Sequence, residues 1–308
     1  MPKYMFTDEE KTNIVEDYLN GVSFNDIYIK YGIKGSKPIY RILNEKNIAL
    51  NRNPYILHYS EEMQDMFNET FSDSINKNYL VVDNSNVYQK YIFDINYFNA
   101  IDTQDKAYIL GLIYADGNIS QNMRTLSISL QEQDAYILNQ IRDLLGIEKE
   151  LRLITLHDKN QNWSNQYCLS ISNKHFAESL IAHGVMPNKS LKIKFPTNLP
   201  MDLYRHFLRG YIDGDGSITK TPREKRIRFV STEDFCIAAK LFIEVQLKIN
   251  ASIKNCKNNE ISKEVMIAGG NQVKKFLDWI YEDAHLFLQR KYDRYLYLFY
   301  DNTISLSA

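Results

Sequence analysis

The chain is expected to fold as an α+β protein of two pseudo-symmetric αββαββα halves, preceded by a small all-α domain. Three observations predict this. A nine-residue pattern occurs twice, as Ile109-Leu110-Gly111-Leu112-Ile113-Tyr114-Ala115-Asp116-Gly117 and Leu208-Arg209-Gly210-Tyr211-Ile212-Asp213-Gly214-Asp215-Gly216, with equivalent positions 99 residues apart. Each copy is followed by polar–apolar alternation and then by helical spacing. The first 54 residues carry helical periodicity alone. The expected boundaries are residues 1–54 for the helical domain, 55–98 for an acidic linker, 99–199 for one half and 200–308 for the other.

Residues 7–47 read as three short helices. Thr7 with Glu10 forms a capping-box pattern, Ile14, Tyr18 and Leu19 give helical spacing, and Gly21 ends the helix. Ser23 caps a second helix that Gly32 stops. After Lys34-Gly35-Ser36, a third has Pro38 near its start, where proline is tolerated. Ile39, Ile42 and Leu43 turn inward there, leaving Ser36, Lys37, Tyr40 and Arg41 outward. This arrangement resembles a helix-turn-helix module, whose last helix enters the major groove of DNA. A plain helical bundle for protein contacts is the alternative.

In the first half, Thr125 to Gln131 alternates strictly, Asp134 to Leu145 is helical, Gln166 to Ile171 alternates again, and His175 to His183 is helical. In the second, Arg226 to Ser231 is a strand, Glu233 to Leu247 a helix, Glu264 to Ile267 a strand and Gln272 to Tyr300 a helix. Pro187, Pro196 and Pro200 mark the joint.

Composition limits function. The length of 308 residues suits two or three domains, and 44% hydrophobic residues support real cores. No apolar run approaches the ~18 residues of a membrane span, and Met1-Pro2-Lys3-Tyr4 lacks a signal-peptide core. Cys168, Cys236 and Cys256 are odd in number and form no CxxC pair, so a reduced, cytoplasmic protein is expected. The six histidines lack zinc-ligand spacing. Net charge is −1, divided as +1 over residues 1–55, −5 over 56–100, zero over 101–200 and +3 over 201–308. The acid is concentrated in the linker, so the remainder is compatible with DNA, whose binding depends on local Lys and Arg.

Each nine-residue pattern reads as the end of a helix. Gly111 and Ala115, like Gly210 and Gly214, lie on one face, and small residues at that spacing let helices approach closely. Asp116 and Asp215 then come together as buried carboxylates, and Gly117 and Gly216 suit a left-handed helix stop. Two close carboxylates raise each other's pKa. A divalent cation relieves this: Mg²⁺ binds through one or two carboxylates, keeps sites for water and phosphate, and serves phosphodiester hydrolysis. No metal role follows for position 115 (Ala115).

On these residues the chain resembles a single-chain, two-motif LAGLIDADG homing endonuclease over about residues 97–300. The resemblance implies a saddle of antiparallel strands over the major groove and Mg²⁺-dependent double-strand cleavage leaving short 3′ overhangs. It places the metal-binding acids at Asp116 and Asp215. It also implies a basic residue late in each half, matched by Lys189, 73 residues after Asp116, and Lys291, 76 after Asp215. Their expected task is to stabilise charge on phosphate or polarise water. The sixth motif position departs: it is Asp213 in one copy and Tyr114 in the other. The family further suggests a mobile intron or phage genome as carrier.

For DNA reading, Arg124, Ser127, Ser129, Arg223, Lys225, Arg226 and Arg228 are expected at the groove. Gln131 and Ser231, taken as equivalent strand ends, are expected to organise active-site water. The two halves present different groups, so the partner is double-stranded DNA with a long, imperfectly palindromic site, bound by a monomer. The alternatives are a catalytically inactive DNA-binding regulator, which usually lacks an acidic motif residue, and an RNA maturase on the same fold. An intein is disfavoured, because the chain has no splicing Cys or Ser start and no terminal His-Asn.

Overall fold

The computed structural model describes residues 6–20, 22, 24–33, 35, 37–46, 48, 61–82, 93–156, 161–219, 221, 223–256 and 259–300. It divides into two units, residues 1–58 and 59–308.

In the first unit, α1 (Asp8–Leu19), α2 (Phe24–Tyr31) and α3 (Lys37–Glu45) enclose Ile14, Val15, Ile27, Ile33, Ile39, Ile42 and Leu43. The capping box forms: Glu10 N donates to Thr7 Oγ1 at 3.1 Å and Thr7 N donates to Glu10 Oε2 at 2.8 Å. Gly32, at φ +65°, ends α2. Ile14 and Val15 hold the buried face of α1, and Leu19 at its end is 62% exposed. Gly21, Ser23, Lys34 and Ser36 lie outside the described residues.

The second unit opens inside the stretch expected to be a linker. Helices α4 (Glu61–Thr70) and α5 (Ser72–Ile75) bury Phe67 and Phe71, and Phe71 packs edge-on against Tyr204. Phe93, Tyr97 and Phe98 are buried as well. A few aromatic anchors fix this segment, and the acidic residues between them hide the pattern.

The first half then runs α6 (Gln104–Asp116), β1 (Gly117–Ile119), β2 (Thr125–Gln131), α7 (Ala135–Leu144), β3 (Arg152–Ile154), β4 (Gln166–Ser172) and α8 (Lys174–Ala182). The second runs α9 (Tyr204–Asp215), β5 (Gly216–Ile218), β6 (Arg226–Ser231), α10 (Glu233–Leu247), β7 (Ala251–Cys256), β8 (Asn259–Ala268), α11 (Gly270–Tyr281) and α12 (Gln289–Phe299). Each half has an antiparallel sheet, ordered β1-β2-β4-β3 and β5-β6-β8-β7. The expected αββαββα order is present twice. The helix expected over residues 272–300 is broken, because the guanidinium of buried Arg209 claims the carbonyls of Ile280 (2.6 Å) and Leu286 (2.8 Å), one in α11 and one beyond its end.

Helices α6 and α9 form the centre. A Cβ on Gly111 would stand 2.0 Å from the carbonyl oxygen of Phe207, and one on Gly210 would stand 2.0 Å from that of Tyr108. Backbone therefore touches backbone, each glycine admitting the other helix. Gly117 and Gly216 are extended rather than left-handed, at φ −73° and −96°. Glycine is needed there for space: a Cβ would meet the carbonyl oxygens of Ile113 and Ile212 at 2.6 and 2.5 Å.

Gly210→Ala is expected to lose about 3 kcal/mol or more, since backbone is the obstacle and cannot swing aside. Gly270→Ala, whose Cβ meets nothing nearer than 3.7 Å, is the control. Urea midpoints by circular dichroism compare them, and equal midpoints would show that the helices separate without cost.

Candidate active site

Asp116 and Asp215 are the last residues of α6 and α9, so the glycine crossing fixes where both carboxylates stand. A Cβ on Gly214 would lie 2.3 Å from Ala115 Cβ and 2.8 Å from Asp116 Oδ2, so the Asp116 carboxylate leans over the residue preceding Asp215. Both aspartates are exposed rather than buried as expected. They open to solvent on one side while protein walls off the rest. That walling raises Asp116 to about 6, helped by the Asp215 charge and opposed by Lys189 and Lys291. Asp215 is raised for the same first reason and is opposed by the same lysines.

Each expected lysine sits on the end of its own half's motif helix. Lys189 Nζ donates to Ala115 O at 2.5 Å. Lys291 Nζ donates to Ile212 O at 2.5 Å, Asp213 O at 2.6 Å and Gly216 O at 2.8 Å. A cation on the last carbonyls complements the helix dipole. The two are unequal, however. Lys291 is buried, pushed down to about 8 by that burial, and its three N–H groups all meet carbonyls. Lys189 spends one N–H, so two remain to meet a ligand.

The sixth motif position explains how the lysine loops are held. Tyr114 donates its hydroxyl to His183 O at 2.5 Å, and Asp213 accepts from Leu288 N at 2.8 Å. Both partners precede the lysine of the same half, so a hydroxyl donor on a carbonyl replaces a carboxylate acceptor on an N–H. Gly184 is required beside it, at φ +94°, where a Cβ would lie 2.2 Å from the Tyr114 hydroxyl oxygen. Asp213 also accepts from Tyr108 OH at 2.9 Å, and burial raises it to about 6.

Cross-half contacts complete the frame. Arg290, adjacent to Lys291, forks onto Asp134 of the first half, with Nε 3.0 Å and Nη2 3.0 Å from Oδ2. Thr232 of the second half donates to Ile193 O at 2.5 Å, just beyond Lys189. Sequence reasoning passed over Arg290, Asp134 and Thr232; the Asp134–Arg290 pair spans 156 residues and no local pattern marks it.

Gln131 and Ser231 are not equivalent. Gly117 pairs with Ile128 and Gly216 with Phe229, so Gln131 corresponds to Thr232, and Ser231 to Leu130. They sit on opposite faces: Gln131 is exposed, and Ser231 is buried, lining a cleft of about 240 Å³ with Tyr114, Lys189, Tyr211 and Asp215. The one-residue offset in register is what simple strand-end alignment misses.

Along β2, Leu126, Ile128 and Leu130 are buried on the helix side, while Ser127 and Ser129, on the opposite face, are half-buried. Arg124, Arg223, Arg226 and Arg228 are exposed, and Lys225 is half-buried, its ammonium 4.3 Å from the centre of the Phe299 ring. In the first unit, Lys37, Tyr40 and Arg41 are exposed on α3. The structure thus gathers Asp116, Asp215, Lys189 and Lys291 at the ends of α6 and α9, with Ser231 in the adjoining cleft, and spreads the remaining candidates elsewhere.

A divalent cation fits this donor set. Among the described residues neither Asp116 nor Asp215 accepts a hydrogen bond or forms an ion pair, although each is raised by poor solvation. No group of three or more His, Cys, Asp or Glu is placed to hold a metal among those residues, so water or substrate oxygens would complete the coordination, as suits Mg²⁺.

A family model for the LAGLIDADG-like domain matches residues 103–183 and again 202–281. Over 245 residues, 78% of this chain, the sequence is 25% identical to the DNA-directed RNA polymerase subunit Rpo1C of Methanocaldococcus jannaschii; the chain spans 26% of that relative's length. Three solved structures are similar at low score. The homing endonuclease I-WcaI bound to its DNA recognition sequence is 15% identical with a TM-score of 0.45, covering 57% of this chain and 80% of that one. WhiA from Thermatoga maritima is 16% identical with a TM-score of 0.43, covering 70% and 66%. I-DmoI in complex with DNA and Mn is 17% identical with a TM-score of 0.39, covering 58% and 97%.

Tyr114→Phe removes the only hydroxyl that meets His183 O among the hydrogen bonds described and leaves a buried carbonyl short of a partner. The expected loss is about 1–3 kcal/mol in denaturant unfolding, and no loss would mean that the loop is held without this contact.

Proposed function

Because the chain belongs to the LAGLIDADG-like domain family and carries that domain twice, we propose that it is a site-specific double-strand DNA endonuclease of the homing type. The observation that carries this reading is the meeting of two open, unpartnered carboxylates at the ends of the glycine-packed helices. Asp116 and Asp215 would hold Mg²⁺, which when bound supplies an activated water and neutralises charge on the leaving oxygen. The chain's own residues do the rest. The backbone contact at Gly111 and Gly210 sets the carboxylates' spacing. Lys189 directs its remaining N–H groups at a phosphate oxygen, while Lys291 keeps the end of α9 in place. The outer sheet faces dock in the major groove. One chain supplies both carboxylates, so it acts as a monomer. The helical unit of residues 1–58 adds a helix-turn-helix contact through α3, raising effective concentration at the target. The cysteines suit a reducing cytoplasm.

One observation favours a second reading, a DNA-binding regulator that does not cut. The ammonium of Lys291 is fully committed to carbonyls, which leaves the second half without its expected basic group.

A cleavage assay on a randomised duplex library, in Mg²⁺ and in Ca²⁺, separates the two. The nuclease reading expects discrete Mg²⁺-dependent double-strand cuts that disappear in Asp116→Asn/Asp215→Asn; selective binding without cuts would favour the regulator. Because Asp116 is raised to about 6, protons compete with the cation below that pH, so the Mg²⁺ needed for half-maximal cutting should climb as pH falls from 7 to 5.

Removing residues 1–54 is expected to weaken DNA binding and leave metal-dependent cutting intact. Loss of cutting at saturating protein would contradict a purely auxiliary role for the first unit.

A further inference from the structure

The two outer sheet faces differ in chemistry more than a mere lack of palindromy requires. Register places Thr125 opposite Ser172, Ser127 opposite Ser170 and Gln131 opposite Gln166. Thr125 Oγ1 is 3.0 Å from Ser172 Oγ, and Ser127 donates to Ser170 Oγ at 3.5 Å. Strands β2 and β4 thus carry hydroxyls and a terminal pair of amides on this face, with Cys168 opposite Ser129 and no charge of their own, while exposed Arg152 on the edge strand β3 stands opposite Cys168. In the second half, Arg226 and Arg228 are exposed on β6, Glu264 stands opposite Val230, and exposed Lys254 stands opposite Glu264. Arg228 Nη1 is 3.7 Å from Glu264 Oε2 and Arg226 Nη2 is 3.4 Å from Glu224 Oε2, both between exposed or half-exposed groups. Such pairs are worth little in water and open readily for another acceptor.

Resting on the DNA-endonuclease reading, we infer that the two halves read base pairs of opposite kind, the β6–β8–β7 face a G·C-rich half-site and the β2–β4 face an A·T-rich one. In the major groove guanine offers two acceptors that fit an arginine fork, and cytosine a donor that fits a carboxylate. Arg226 and Arg228 are two residues apart on one strand face, about 6.6 Å, close to two base steps of roughly 3.4 Å. They read guanines two steps apart, with Glu264 orienting Arg228 or accepting from a neighbouring cytosine. Gln131 and Gln166 offer the paired donor and acceptor that adenine requires, and Thr125 offers a methyl to thymine. Hydroxyls beside them tolerate either base. Affinity therefore comes mainly from the second half and tolerance from the first.

Selection of bound duplexes from a randomised library tests this, using the full chain carrying Asp116→Asn/Asp215→Asn with Ca²⁺ present. Selected sites should hold two guanines two steps apart in one half-site and A·T pairs in the other. Arg228→Gln should turn one of those guanines into adenine and weaken binding to the original site roughly tenfold to a hundredfold. Gln166→Ala should relax an adenine in the opposite half-site. Selected sites lacking that guanine pair, or an Arg228→Gln variant that keeps it, would overturn the half-site assignment alone. Failure to enrich any sequence would overturn the DNA-endonuclease reading beneath it.

Discussion

Everything at the centre of the second unit depends on two helices touching through their backbones at Gly111 and Gly210. Helices usually keep axes 8–10 Å apart because side chains lie between them. Removing both side chains at the crossing brings carbonyl oxygens into the space that Cβ atoms would fill. The contact makes the two halves one body and fixes where the helices end. Asp116 and Asp215 follow with no freedom of their own, since each is the last residue of its helix. A larger residue at the crossing would part the carboxylates as it parted the helices.

Around that fixed pair the halves solve the same problems with different atoms. Position six of the motif tethers the lysine loop in both, through the Tyr114 hydroxyl on a carbonyl in one and the Asp213 carboxylate on an N–H in the other. Each loop is also held by the opposite half, through Thr232 on Ile193 and through Asp134 with Arg290. A loop fastened to both halves resists their separation. Buried Arg209 shows the cost of such asymmetry. Its charge requires the carbonyls of Ile280 and Leu286, and a helix break supplies them. The first half has Leu110 at this position and no such demand.

The fold was legible because its signals are local. Alternation placed β2 and β6 at their observed limits, and Asp-Gly marked the ends of α6 and α9. That the carboxylates and lysines stand at equivalent places in the two halves was legible because repetition at a fixed offset marks equivalent positions without any coordinates. What escaped is long-range or subtle. The linker's core role rests on Phe67 and Phe71 scattered among acids. The split of the last helix rests on a guanidinium some 70 residues away in sequence. The mismatch of Gln131 with Ser231 rests on one residue of register, which only the paired strands reveal. The roles of Tyr114 and Arg290 needed the partner backbone or carboxylate to be seen.

The electrostatics of the site are unfavourable by construction. Two carboxylates stand at helix C-termini, the ends where a helix carries partial negative charge. Protein walls raise both, and among the described residues neither is offered a hydrogen bond. The two lysines that moderate them are themselves lowered by burial and spend N–H groups on the helix carbonyls. Evolution for stability alone would pair these acids or replace them with amides. Their presence in both copies, on a frame that forces them together, leaves a demand for positive charge that the two lysines only partly meet. A divalent cation would meet that demand for both acids, and one such as Mg²⁺ would keep ligand positions for other oxygens.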